Sequence, residues 1–220
     1  MPRTAILDVD GTLVDSNYQH ALAWFRAFRR HGITLEMWRV HRHIGMGGDQ
    51  LVPALVGEEV DAAMGDQLRE QSGVEFEPLI GEVAAFDRAH ELLVELKRRG
   101  FTVVLASSGK PADVEHWLDV LDARDHCDAW TTSQDVGETK PAPDLLQVAL
   151  DRVGADEAVV LGDSVWDFEA ARRLGLASIG LRTGGFGVEE LRQAGADLVL
   201  NSVADLVEAL DSTPFHSPDA

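Results

Sequence analysis

The sequence predicts an α/β fold in which helices cover both faces of a doubly wound, mostly parallel sheet. From residue 84 onward, short apolar runs alternate with amphipathic helical segments, which is the pattern of parallel strands joined by helices. Residues 15–83 contain no convincing strand and have the pattern of helices separated by glycines. We therefore expect a helical insert after the first strand.

The first strand is expected at Ala5–Leu7, where an apolar run suits a buried parallel strand. Gly11 then permits a tight turn. Ser16 or Asp15 is placed to cap a helix over Asn17–His31, whose apolar residues recur on one face. The opening of the chain is therefore predicted to run from strand through turn to helix.

The later elements follow the same reasoning. Asp49 is expected to cap the helix that comes after the glycine-rich loop 44–48. Further helices are expected at Asp87–Arg99, from Pro111, up to Val153, and at Phe168–Leu174. Further strands are expected at Phe101–Ala106, Asp128–Thr132, Ala158–Leu161, Ala177–Leu181 and Asp197–Leu200.

These elements divide the chain into three parts. Residues 1–14 and 84–211 are expected to form a sheet-containing core, and residues 15–83 a helical insert. Residues 212–220 contain two prolines and few apolar side chains, so we expect a disordered tail.

Composition narrows the class of protein. Of the 220 residues, 45% are hydrophobic and 26% charged, and the formal net charge is −19, which disfavours binding to nucleic acid or to an anionic membrane. No apolar run is long enough for a membrane span, and the first strand begins too near Met1 to leave room for a signal peptide. The single Cys127 cannot form an internal disulfide. We expect a cytoplasmic protein whose oligomeric state is open.

Two carboxylates, Asp8 and Asp10, follow the first strand directly. Side by side in a crevice they repel, so they need a cation, a shared proton or another positive group. The alternative is a solvated turn, because Asp-Gly is a common turn sequence. The choice between these two interpretations depends on the other strand ends.

Polar groups also follow the later strands. Ser107 ends the second strand, Lys140 lies in the loop near the third, and Asp163 and Asp167 follow the fourth. The carboxyl ends of parallel strands share one edge of the sheet, where ligands bind. Carboxylates, a hydroxyl and a lysine suit phosphoryl transfer with Mg²⁺, which prefers a few carboxylates together with waters and phosphate oxygens. The set therefore predicts a site for phosphoryl transfer.

These motifs resemble the haloacid dehalogenase-like hydrolase superfamily over essentially the whole chain. The matching stretches are Asp8-Val9-Asp10-Gly11-Thr12, Ser107 after a hydrophobic strand, Lys140-Pro141-Ala142-Pro143-Asp144, and Gly162-Asp163-Ser164-Val165-Trp166-Asp167. The resemblance implies a Rossmann-like core and a mobile cap of the C1 type. The return from cap to core reads Phe86-Asp87-Arg88, where many relatives carry a Pro-Gly pair.

The resemblance also implies catalytic roles. Asp8 would be the nucleophile that becomes an aspartyl phosphate. Asp10 would protonate the leaving oxygen and then activate water, and we expect neighbouring carboxylates to raise its pKa. Ser107 and Lys140 would hold the transferring phosphoryl group.

The same resemblance implies a metal site. Asp8, the backbone carbonyl of Asp10 and Asp163 would bind Mg²⁺, and Asp167 would support the ion through water. Together these roles predict a magnesium-dependent phosphatase.

A sugar-phosphate mutase is the main rival. The stretch Asp15–His20, together with Trp24, resembles the cap entry of β-phosphoglucomutases, whereas Thr12 is usual in the phosphatases. His20 and Trp24 are possible substrate contacts, although a surface histidine and a packing tryptophan would explain them as well. Gly45 and Gly47 of the flexible loop are further possible contacts.

Other readings fit less well. The dehalogenase branch lacks the second aspartate that is present here as Asp10, and the phosphonatase branch needs a cap lysine, which residues 15–83 do not contain. A phosphorylated receiver module shares the sheet, an aspartate and a lysine. Receivers, however, have no cap and place their phosphorylated aspartate at the third strand.

Overall fold

A computed structural model of the chain describes residues 3–216. The strands are β1 Thr4–Asp8, β2 Thr102–Ala106, β3 Ala129–Thr131, β4 Val159–Gly162, β5 Ala177–Leu181 and β6 Leu198–Leu200. The helices are α1 Asn17–Arg30, α2 Met37–His41, α3 Gly48–Val56, α4 Glu58–Phe76, α5 Ala89–Arg98, α6 Pro111–Val120, α7 Asp144–Val153, α8 Val165–Leu174, α9 Val188–Ala194 and α10 Val203–Ala209. Short 3₁₀ turns occupy Ile80–Glu82, Arg182–Gly184 and Leu210–Ser212.

The six strands form one sheet in the order β3-β2-β1-β4-β5-β6, and every neighbouring pair is parallel. The predicted α/β fold with a doubly wound parallel sheet is thus confirmed. β1 is central, between β2 and β4, and all its residues are buried. Asp8 pairs in register with Ala106 of β2, and Leu7 pairs with Leu161 of β4. The residues that follow these three strands therefore emerge side by side.

The two faces of the sheet bury separate apolar clusters. Alternating strand residues point to opposite faces, so Leu7 belongs to one cluster and Ile6 to the other. Leu92 of α5 and Leu206 of α10 cover the first face, and Leu145 of α7 covers the second. Helices on both faces explain why the strands are apolar throughout rather than alternating.

Helices α1 to α4, between β1 and α5, enclose an apolar cluster of their own. Its large members include Trp24, Phe28, Leu51 and Leu68, and all of its buried residues lie between positions 21 and 68. A separate cluster is what a division into core and cap requires. The division at residues 14/15 and 83/84 stays a prediction.

Several predicted elements differ from the observed ones in detail. α8 begins at Val165 rather than Phe168, and the short helices α9 and α10 had no predicted counterpart. Asp49 was expected to cap the helix after the loop, and this is wrong. α3 begins at Gly48 with Gly47 in the capping position, and the carboxylate of Asp49 binds Thr139 instead.

The disordered tail predicted for residues 212–220 has a different outcome in each of its two parts. Residues 217–220 lie outside the described residues. For residues 212–216 the expectation of disorder is wrong, because Phe215 is 0% exposed and packs edge-to-face on Phe101 with ring centroids 5.6 Å apart. One buried aromatic ring contributes enough apolar contact to order a short segment that is otherwise polar. None of the helices within residues 3–216 has the length and apolarity needed to cross a membrane.

Phe215→Ala is expected to lower the unfolding free energy by about 3–5 kcal/mol, the usual loss for deleting a buried aromatic ring. Urea denaturation monitored by tryptophan fluorescence would measure the change. Trp38→Ala is the control, since Trp38 is 67% exposed and its loss should change stability by no more than about 0.5 kcal/mol. Equal effects of the two substitutions would contradict the anchoring role of Phe215.

Candidate active site

A buried lysine joins two of the predicted site residues. Nζ of Lys140 donates to Oδ1 of Asp8 at the end of β1, and also to Oδ1 of Asp167 in α8, at 2.6 Å. Lys140 is 2% exposed. The other oxygen of Asp167 accepts from the backbone N–H and the hydroxyl of Ser164, at 3.0 and 2.7 Å, so α8 holds it rigidly. Three predicted residues, far apart in sequence, are thus in direct contact.

Asp163 joins the same group through Thr12. Oγ1 of Thr12 lies 3.0 Å from Oδ2 of Asp8 and 2.7 Å from Oδ1 of Asp163. Nδ2 of Asn17, the first residue of α1, donates to the other oxygen of Asp163 at 2.8 Å. Gly11 makes room for that amide: its φ is +79°, and a Cβ there would lie 2.5 Å from Cγ of Asn17.

Asp10 has a different set of partners. Its Oδ1 accepts from the hydroxyl of Ser16 at 2.8 Å and lies 3.2 Å from Nε2 of His20. Its Oδ2 accepts from the hydroxyl of Ser107 at 3.3 Å. The His20 ring is stacked on Phe76 of α4, with centroids 3.9 Å apart. Ser16 occupies the capping position of α1 as expected, but its hydroxyl binds Asp10 instead of the helix.

The group Asp8, Asp163 and Asp167 can hold a metal ion. Each offers a carboxylate oxygen, and these oxygens lie within 4.8 Å of one another. All three residues are buried, and the only ammonium bonded to them among the described residues is that of Lys140. Buried carboxylates in excess of their cations are unfavourable, and a divalent cation offsets that excess. The donor set therefore fits a divalent metal.

The pKa values reflect this crowding. Burial raises the pKa of Asp8 to about 7; Lys140 opposes the rise and the charge of Asp167 adds to it. Burial, then the charges of Asp8 and Asp167, raise the pKa of Asp163 well above its ordinary value. Burial alone would lower the pKa of Lys140, but Asp167 and Asp8 outweigh it and raise that pKa. A bound cation would favour the ionised form of the carboxylates.

The expectation of a raised pKa for Asp10 is wrong. Burial alone would raise it, but the hydrogen bond and charge of His20 and the hydrogen bond from Ser16 outweigh burial, so the pKa is lowered. The Asp10 carboxylate points away from the other carboxylates. It contacts His20, Ser16 and Ser107, whereas the other carboxylates contact Lys140 and Thr12. Two aspartates of one motif thus occupy opposite electrostatic environments.

A cavity of about 250 Å³ opens above these groups. Asp8, Asp10 and Lys140 line it from the sheet edge. The four possible substrate contacts of the helical segment line it as well, namely His20, Trp24, Gly45 and Gly47. Ser107, Asp163 and Asp167 are described but are not part of its lining. The structure therefore brings the predicted residues into one site, although Ser107 contacts Asp10 rather than Lys140.

Two further cations line the cavity. The guanidinium of Arg69 donates to Asp61 at 2.7 Å, to Asp66 at 3.1 Å and to the carbonyl of Gly48 at 3.1 Å, so its charge is matched. Within residues 3–216, no hydrogen bond or ion pair engages the ammonium of Lys110. The ammonium of Lys110 is thus not held by a hydrogen bond in this part of the chain, although its charge interacts with that of Asp113, which lines the same cavity.

Sequence reasoning did not foresee the contacts by which several residues support the site. Thr12 and Ser16 lie within or beside the first motif, and a count of hydroxyls near the paired aspartates would have singled them out. Asn17 and Phe76 carry no such signal, because an amide at a helix start and an apolar helical residue are common in any protein. Only their spatial position identifies them.

Comparisons with known proteins agree with this geometry. A family model described as haloacid dehalogenase-like hydrolase matches residues 2–175. Validoxylamine A 7'-phosphate phosphatase from Streptomyces hygroscopicus subsp. limoneus is 29% identical over 83% of this chain and 87% of its own. Phosphoglycolate phosphatase from Xylella fastidiosa (strain 9a5c) is 33% identical over 81% of this chain and 79% of its own. A solved hydrolase from Pseudomonas syringae has a TM-score of 0.89 at 36% identity and covers 95% of this chain and 98% of that one.

The raised pKa of Asp8 predicts a pH-dependent stability. Because its pKa in the folded state, about 7, exceeds the ordinary 3.8, the folded state binds more protons, so metal-free protein loses stability as pH rises between these values. A divalent cation should therefore raise the unfolding temperature more at pH 8 than at pH 5. Thermal unfolding at both pH values, with and without Mg²⁺, measures this. Asp8→Asn is the control and should weaken both effects; an unchanged pH dependence in that variant would contradict the assignment.

Proposed function

The chain belongs to the haloacid dehalogenase-like hydrolases, and on this premise we propose that it hydrolyses a small phosphorylated metabolite through an aspartyl phosphate on Asp8. One observation carries the proposal: Asp8 faces the cavity from within a buried carboxylate cluster that shares one ammonium. Relatives named as phosphatases support the same activity. The lining ammonium of Lys110 suits an anionic ligand in a protein of formal charge −19.

Asp8 is the nucleophile in this proposal. An Asp8 carboxylate oxygen forms a bond to phosphorus while the bond from phosphorus to the ester oxygen breaks. Lys140 neutralises Asp8 before attack and lies close enough to bind the phosphoryl oxygens afterwards. Thr12 fixes the orientation of the same carboxylate from its other oxygen, at 3.0 Å. A held and neutralised carboxylate approaches an anionic ester more readily than a free one.

Asp10 is the group for proton transfer. It delivers a proton to the leaving oxygen, and then takes one from the water whose oxygen attacks the phosphoenzyme, releasing Asp8. The lowered pKa of Asp10 favours the ionised form in the free protein, so it must first gain a proton. Nε2 of His20, 3.2 Å away, is the neighbouring group that can share one with it. We assign Ser107, bonded to Asp10 at 3.3 Å, to positioning Asp10 and binding phosphoryl oxygens.

We assign Mg²⁺ as the cation. Asp8, the backbone carbonyl of Asp10 and Asp163 would hold it, with Asp167 supporting through water. Once bound, Mg²⁺ would withdraw charge from the phosphoryl oxygens. The observation in favour is the excess of buried carboxylate oxygens within 4.8 Å of one another.

We further propose that residues 15–83 act as a cap over residues 1–14 and 84–211. The separate apolar cluster of this segment supports the division. Four residues of this segment would reach the substrate, since they line the same cavity as Asp8, namely His20, Trp24, Gly45 and Gly47. A cap over the site excludes bulk water and selects the leaving group.

A mutase remains the second candidate, on the specific observation that His20 contacts Asp10 and lies in the stretch that resembles mutase cap entries. Both enzymes would form a phosphoenzyme at Asp8. They differ in the acceptor, which is water for the hydrolase and a sugar phosphate for the mutase.

Asp8→Asn is expected to lower turnover by about 10⁴-fold or more, as loss of a covalent nucleophile does elsewhere, because an amide does not attack phosphorus. Phosphate release from a panel of phosphorylated metabolites with Mg²⁺ measures this. Asp87→Asn, at an exposed aspartate, is the matched control and should retain wild-type activity. Substantial phosphatase activity in a verified Asp8→Asn preparation would remove Asp8 as nucleophile.

The acceptor can be identified with β-glucose 1-phosphate and a trace of glucose 1,6-bisphosphate. A hydrolase that accepts this sugar releases phosphate without forming glucose 6-phosphate, and this is the result we expect. Both products should be followed in the same reaction. Rapid formation of glucose 6-phosphate with almost no phosphate release would make the protein a mutase.

A further inference from the structure

Thr139, the residue before Lys140, is hydrogen-bonded to residues at the start of helix α3. Its backbone N–H donates to Oδ2 of Asp49 at 3.0 Å, and its hydroxyl donates to Oδ1 of the same carboxylate at 2.5 Å. The backbone N–H of Gly47 donates in turn to the Thr139 hydroxyl at 2.9 Å. We call these three hydrogen bonds the Thr139 clamp. They tie the helical segment to the residue beside the buried lysine.

Position 47 must be a glycine because of the space that the Thr139 clamp leaves, and not because of its backbone conformation. Its φ is −73°, which any residue adopts. A Cβ at this position, however, would lie 2.5 Å from both Cγ2 and Oγ1 of Thr139. Such a distance is far below van der Waals contact, so any larger residue would push the loop off Thr139.

Asp49 is likewise used for the clamp. An aspartate at the second position of a helix is well placed in the helix dipole, but its side chain does not cap α3. Both carboxylate oxygens bind Thr139, which lies 90 positions further along the chain. Asp49 and Thr139 are described and neither lines the cavity, so substrate contact does not account for them.

The clamp restricts the position of the next residue, Lys140. Its ammonium is buried between Asp8 and Asp167, and its backbone continues directly from Thr139. A planar peptide bond with little rotational freedom joins the two residues, so a fixed Thr139 limits where the lysine side chain can begin. Buried charges require good geometry to be stable, and a small displacement would separate the ammonium from its carboxylates.

We propose that Asp49 and Thr139 are positioning residues that seat Lys140 when the loop 44–48 lies against the sheet edge. Closing the loop and placing the lysine are then one event. The proposal rests on the proposed function for the role of Lys140, while the seating itself is a property of the protein without substrate. It gives Gly47, which also lines the cavity, the further task of holding the closed loop.

The chain's lysines allow a direct test, because there are only three, Lys97, Lys110 and Lys140. Trace acetylation with acetic anhydride, followed by mass spectrometry of peptides, reports the accessibility of each amine. In the wild type we expect Lys140 to react far more slowly than Lys110. In Thr139→Val and in Asp49→Ala we expect its labelling to rise about 10- to 100-fold, the range for losing a hydrogen bond to a charged group. Lys97, which does not line the cavity, is the internal standard and should not change.

Activity supplies the second readout. Thr139→Val and Asp49→Ala should lower kcat by about 10- to 100-fold, and the double variant should be no worse than the poorer single one, because both remove the same contact. Thr139→Ser, which keeps the hydroxyl, should restore both labelling and kcat. Asp49→Asn is a second disrupting variant if Asp49→Ala does not fold, since its amide cannot accept from both groups of Thr139.

Thr132→Val is the matched control. The backbone N–H and hydroxyl of Thr132 donate to Asp135 at 2.7 and 3.0 Å, the same pattern in a place without contact to Lys140. This variant should change neither Lys140 labelling nor kcat. Slow Lys140 labelling in the folded clamp variants would overturn the proposal, whatever their activity. A wild type inactive on every phosphate ester would refute the proposed function, and the labelling would still decide whether the clamp seats Lys140.

Discussion

The site depends on one buried ammonium between two carboxylates. Lys140 is bonded to Asp8 and Asp167, and Asp163 joins them through Thr12. Buried charges of this kind are stable only when they are paired in good geometry. The parallel sheet brings the partners together, because its central strand and the loops after the neighbouring strands meet at one edge. The remaining excess of negative charge favours a divalent cation at this site.

The two aspartates of the first motif show how closely neighbouring groups can differ. Asp8 faces the lysine and the other carboxylates, and its pKa is raised. Asp10 faces His20, Ser16 and Ser107, and its pKa is lowered. In the protein without a cation both shifts oppose the proposed roles, because a nucleophile must be ionised and an acid protonated. A cation bound by Asp8, and a proton shared by His20 with Asp10, would each offset one of these shifts. In the proposed reaction one aspartate forms a bond to phosphorus and the other transfers protons.

The sequence predicted the fold class well, because apolar strands and amphipathic helices are patterns of local spacing. It also predicted which polar residues meet, since strand ends of a parallel sheet share an edge. What it missed depends on side-chain direction or on a single tertiary contact. Asp49 has every local feature of a helix cap but binds Thr139, and Phe215 orders a segment of polar composition. The prediction of a raised pKa for Asp10 was wrong for the same reason. The partners of a carboxylate depend on its rotamer, which the sequence does not give.

The bond from Asn17 to Asp163 has a mechanical consequence. Asn17 is the first residue of α1, a helix of 14 residues, so its contact with the sheet edge lies at one end of a rigid rod about 20 Å long. If the helical segment turned about that end by roughly 15°, the other end of the rod would travel about 5 Å while Asn17 barely moved. The hydrogen bond of Asn17, at the pivot, would survive such a rotation, whereas contacts at the far end of α1 would be lost. Asp163 would thus keep its amide partner throughout the rotation.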